Sequence, residues 1–164
     1  MRLPAALVRS LTFAAAVIVT AAFFLPWMDG ANELRFHSFS GFDFARLTRN
    51  FEITAQSPSE TGQIRATALL IYLMPALVVN SCVMTLLQPA LKVAAKLAGG
   101  ALIAAGGYGL AVLGVLLFLS VVRVNDFADV VGGPDYGFAI SAGASALLLG
   151  LGVSELRSSS VRSH

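Results

Sequence analysis

Four runs without a single charged residue, 11–28, 66–87, 97–122 and 136–153, occupy about half of the chain and decide what it can fold into. A helix needs about twenty mostly apolar residues to cross the hydrocarbon layer of a bilayer, and each run comes close to that length. The remainder of the chain offers no soluble alternative. Of 164 residues, 57% are hydrophobic and 12% charged, too apolar for one water-soluble core to hide. The expected fold class is therefore an all-α membrane protein, a single four-helix transmembrane bundle over 1–164, with residues 29–65 as a structured outer loop.

The first run has a second reading, since Arg2 and Arg9 precede it in the manner of a secretory signal. Its apolar stretch is long for that purpose, and a cut near Ala21 would leave FFLPWM as a new terminus. The run reads as a retained span, with Pro26 and Trp27 as its interfacial end, Trp27 at headgroup level, and Asp29 with Gly30 turning the chain into water.

Basic residues near the span ends set the direction. Arg2 and Arg9, Lys92 and Lys96, and Arg157 and Arg162 mark three short segments on one side, while most acids lie in the other two loops. Both termini are expected to be cytoplasmic, and the long first loop outside. The eleven Lys and Arg are scattered singly and the net charge is only +2, so no nucleic-acid surface is expected. The lone Cys82 cannot form an internal disulfide and reads as a small buried hydrophobe.

Small residues recur on the last two spans. In the third, Gly99, Gly106, Gly107 and Gly114 return every seven or eight residues; in the fourth, Ala142, Ala146 and Gly150 follow at steps of four, with Gly137, Ser141 and Ser145 on a neighbouring face. This small-xxx-small device lets helix backbones approach closely. It serves either packing of the third span on the fourth or docking onto another protein's helix. The second span instead contains Pro75, which removes a helix hydrogen bond and should kink it, and Asn80, the most polar residue at membrane depth. Asn80 fits an interhelical hydrogen bond or, with Tyr72, a ligand contact.

The first outer loop is too long for a simple connector. ELRFHSFS alternates like a short strand. SGFDFARLTRNF then changes period, with an S-x-x-D capping signal at Ser40 and Asp43 and Phe44, Leu47 and Phe51 on one helical stripe. Trp27, Phe36, Phe42, Phe44, Leu47 and Phe51 are the candidate residues of a lid on the bundle or of a docking surface. In the second outer loop Gly132, Gly133 and Pro134 precede Asp135, which favours the start of the last helix.

The order LPW, SGFDF and GPDYGF resembles a group of small, uncharacterised four-helix membrane proteins of bacteria, which implies a four-helix fold with an ordered outer loop and a bacterial, inner-membrane setting, and carries no implication about activity. More loosely, the layout is similar to the claudin type of tetraspan, although claudins have a cysteine pair in the first outer loop and this loop has no cysteine.

The chemistry that is missing narrows the function. No Asp, Glu, Lys, Arg or His lies in the central part of a span, where proton-coupled transport and ion pathways usually place one. His37 and His164 are not at membrane depth, as haem ligation would require. No zinc cluster, paired thiols, phosphate loop or nucleophile elbow is present. The expectation is a non-enzyme without cofactor or metal, an accessory or structural subunit that contacts membrane lipids and binds other membrane proteins or further copies of itself. The rival expectation is a small-molecule or lipid-binding transport protein with a cavity near Asn80.

Overall fold

The structure is a computed structural model and describes residues 4–30, 38–46, 58–91, 95–122 and 131–160. In chain order its elements are α1 (Ala5–Ala22), β1 (Pro26–Gly30), β2 (Ser38–Ser40), the short α2 (41–46), α3 (Pro58–Leu91), α4 (Ala95–Val122), β3 (Val131–Pro134) and α5 (Tyr136–Ser160). Four of the helices are long and apolar enough to cross a membrane, over Ala5–Ala22, Leu69–Ala90, Ala95–Phe118 and Tyr136–Ser158. They form a ring in which α1 touches α3 and α5, and α4 touches α3 and α5, the closest pairing being α4 with α5.

These helices are apolar on all sides. Only about a third of each apolar window is buried within the molecule, and Phe13, Leu69, Val115 and Ile140 are among the large hydrophobic side chains left exposed. A helix of a soluble bundle keeps one apolar stripe and a polar back; here the back is apolar too.

α1 stops earlier than the run of apolar residues suggests. The expected span 11–28 ended at Pro26 and Trp27, whereas the helix occupies Ala5–Ala22. The amides of Phe24 and Leu25 donate to the carbonyls of Ala21 and Ala22 at 3.0 and 3.1 Å, the three-residue spacing that tightens a helix end. Pro26 then disfavours helical geometry at Leu25 and has no N–H of its own to continue the ladder. The eighteen residues that remain rise about 27 Å, still close to the hydrocarbon thickness.

PWMDG becomes the central strand of a three-stranded sheet with order β2-β1-β3. β1 pairs antiparallel with β2 through Pro26↔Ser40, Met28↔Phe39 and Asp29↔Ser38. On its other edge it pairs with β3 through Met28↔Pro134 and Gly30↔Val131. Of the strand expected over ELRFHSFS, the described part is Ser38–Ser40; Phe36 lies outside the described residues, as do Leu47 and Phe51 of the expected amphipathic helix. Met28 and Trp27 are fully buried, and with Phe23 and Phe44 they continue the core formed by Val19, Met74, Val78, Leu102, Leu113 and Leu148 between the helices.

α3 runs without a break through Pro75 and Pro89. Its core face buries Ile71, Met74, Val78 and Cys82. Tyr108 of α4 donates its hydroxyl to the Leu70 carbonyl at 2.7 Å, one residue before the Ile71 carbonyl that Pro75 leaves without its helical donor.

Candidate functional site

At the sheet end, the loop residues that the sequence singles out assemble around Trp27. Its indole N–H donates to the Ala22 carbonyl at 2.7 Å, which satisfies the one polar atom of a fully buried ring. Trp27 therefore pins the end of α1 from inside. Phe23 meets Trp27 edge to face at 5.7 Å between centroids and lies 6.1 Å from Tyr72 of α3. Phe42 completes the group, 5.6 Å from Phe24 and 6.5 Å from Tyr72. The cap thus has a buried layer, Phe23, Trp27 and Phe44, and an exposed layer, Phe24, Phe42 and Tyr72.

Local hydrogen bonds hold the cap to the bundle. Ser40 and Asp43 form a reciprocal capping box: the Asp43 amide donates to Ser40 Oγ at 3.1 Å, and Asp43 Oδ2 accepts from the Ser40 amide at 3.0 Å and the Ser40 hydroxyl at 2.6 Å. The Phe42 amide donates to the Phe23 carbonyl, and the Asp135 amide to the Trp27 carbonyl. Asp135 Oδ1 in turn accepts from the Tyr136 amide at 2.6 Å, so the start of α5 hangs directly from β1.

Two glycines make this assembly fit: Gly41, which the sequence does not single out, and Gly137, which it groups with the small face of the last span. A Cβ at Gly41 would lie 2.7 Å from the Trp27 ring and 2.8 Å from Phe23, and one at Gly137 would collide with the Pro26 carbonyl. Gly41 lies within SGFDF and Gly137 within GPDYGF, and that membership was the available signal.

The small residues of α4 and α5 separate into two sets. Gly99 and Gly106 face α5: a Cβ at Gly106 would meet the Ser145 carbonyl at 2.5 Å and the Leu149 amide at 2.6 Å, and one at Gly99 would meet the Gly152 carbonyl at 3.1 Å. Gly152 closes the contact from the other side, with the Gly99 carbonyl at 2.7 Å, and Gly109 makes room for the Ser145 side chain. In contrast, Gly107, Gly114 and Gly150 have nothing among the described residues within 4 Å of an added Cβ. Ala146 is exposed beside Gly150, and Ala142 is half-buried against the core.

Asn80 lies on the exposed face of α3, and Tyr72 stands at the cap. Among the described residues of the four long helices the buried hydroxyls are instead Thr12, Ser81, Thr85, Ser141 and Ser145. Ser81 and Thr85 donate to carbonyls of their own helix, while those of Thr12, Ser141 and Ser145 have no partner among the described residues. Among the described residues no three of His, Cys, Asp and Glu converge on a point that could hold a metal ion. Compared with family models, curated proteins and solved structures, the chain finds no match.

Proposed function

We propose that this chain is a non-enzymatic integral membrane protein of the bacterial inner membrane that acts as an accessory or structural subunit, binding other membrane proteins through outward small-residue helix faces and its sheet cap. The observation that carries this reading is the open space over Gly107, Gly114 and Gly150. Glycine is a poor helix former, and these three are not needed for the internal seam. A neighbouring helix approaching from outside is the structure that such a face accommodates best, because close backbone approach provides the dispersion that replaces a hydrophobic drive in lipid.

Charge distribution supports the orientation. Arg9, Lys96 and Arg157 stand at the end of the bundle away from the sheet, whereas Asp29, Asp43 and Asp135 stand at the sheet end. By the preference of basic residues for the cytoplasmic side, the sheet is periplasmic. Phe24, Phe42, Tyr72 and Tyr136, all exposed near it, would then provide the interfacial aromatic belt. The outward position of Asn80 favours contact with another helix over an enclosed cavity.

The test is a pair of leucine substitutions on one helix. Gly114→Leu should detach a co-purifying membrane protein while the chain stays folded, whereas Gly106→Leu should lose the fold itself. A partner retained in full by the folded Gly114→Leu variant would sink the docking role of this face.

A further inference from the structure

The polar side chain nearest the middle of an apolar window has no partner inside the molecule. Asn80 stands midway along Leu69–Ala90 of α3, is exposed, and its amide makes no hydrogen bond among the described residues. The exposed residues in line with it are Leu69, Leu73, Ala76, Val83, Leu87 and Ala90. They follow one another at alternating steps of four and three, the 3.5-residue repeat of a left-handed helix pair, and Asn80 takes the place equivalent to Leu73 and Leu87. The whole seam is uncharged.

We propose that this face of α3 packs against the same face of a second copy of the chain, in a parallel two-fold dimer with the Asn80 amides bonded to each other across the axis. The inference rests on the reading that α3 spans a membrane. In hydrocarbon, lipid chains offer an amide neither donor nor acceptor, and an unpaired amide there is strongly penalised. A partner helix that is apolar at this depth would leave it equally unpaired.

A second copy solves the problem by symmetry. Copies of one chain insert in the same direction, so the two-fold axis runs along the membrane normal and each residue near it meets itself at the same depth. The amide is its own complement, since its carbonyl accepts and its NH2 donates. A single Asn within an otherwise apolar 3.5-residue repeat is also a known means of fixing register and strand number in helix pairs.

The experiment uses the full chain in phosphatidylcholine vesicles. Cys82 is the only cysteine and is buried, so a Cys82→Ala background leaves one introduced thiol at a time. Mild oxidation should link Val83→Cys copies into dimers and leave Val115→Cys, exposed on α4, unlinked. Asn80→Leu should weaken the dimer roughly 5- to 30-fold, read as the protein-to-lipid ratio at half dimer, with helix content unchanged, and Asn80→Gln should recover most of the loss. A chain that stays monomeric, links at Val115→Cys instead, dimerises equally well with Asn80→Leu, or has another polypeptide seated on α3 overturns the proposal. Loss of the dimer with Asn80→Leu alone and loss of a partner with Gly114→Leu alone keep this inference separate from the docking role of α4.

Discussion

Gly106 and Gly107 are neighbours on α4 and do opposite things. The first lies against the backbone of α5 at Ser145 and Leu149; the second opens on empty space. The cap repeats the contrast with aromatic rings, where Trp27 is fully buried on a hydrogen bond and Phe24, three residues earlier, is 61% exposed. In both regions residue type says only that a surface is made for close packing. Whether the packing is within the molecule or with something outside depends on about 100° of helix rotation or on one turn of chain.

Substitutions can break or sharpen that contrast. The largest effect is expected for Gly106→Leu. Overpacking a core commonly costs about 1–3 kcal/mol, and here the obstruction is backbone that cannot step aside, so thermal unfolding in detergent should show no folded bundle. Gly107→Leu should melt as the parent does; equal damage from both would erase the distinction between the faces. Trp27→Ala comes next, at about 3–5 kcal/mol, against less than about 0.5 kcal/mol for Phe24→Ala. Denaturant titration of the two variants side by side measures that difference.

A smaller effect is expected where the cap begins. Ser40→Ala removes one half of the capping box and should cost about 1 kcal/mol, visible as faster hydrogen exchange at the amides of 41–46. The smallest concerns Gly114→Ala, which fills open space and improves helix propensity by up to about 1 kcal/mol. It should leave stability unchanged or raise it slightly in a melting experiment. A clear loss would mean that this face has an internal contact after all.

Much of the helical framework was legible because apolar run length is a local property. Each of the four runs overlaps one of the four helices long enough to cross a membrane, the first displaced by six residues, and the capping box and the role of Asp135 were readable for the same reason, being set by side chains within three residues. The sheet was not. β1 is drawn from the apolar tail of the first run, where PWM continues the hydrophobic pattern, and β3 is VGGP, which has no alternation at all. These strands exist through pairing across about a hundred residues of sequence, and no local periodicity encodes that. The burial of Trp27 was not legible either, since a tryptophan closing an apolar run reads as interfacial and only the strand turns its ring inward.

The glycine faces were half legible. A return of seven or eight residues marks α4 as a close-packing helix, but it is compatible with two faces, and the sequence cannot say which one α5 takes. Gly109 and Gly152 were missed because their partners, Ser145 and Gly99, are on another helix. Asn80 could be ranked as the most polar residue at depth, while its outward direction needed the packing of Met74, Val78 and Ser81 on the opposite side of α3.

The most direct measurement is native mass spectrometry of the chain and of its Gly114→Leu variant, each extracted gently from its own membrane. The account predicts a second polypeptide in stoichiometric complex with the parent, lost from a Gly114→Leu chain that remains folded. Copies of this chain alone, holding only lipid in parent and variant alike, would contradict it.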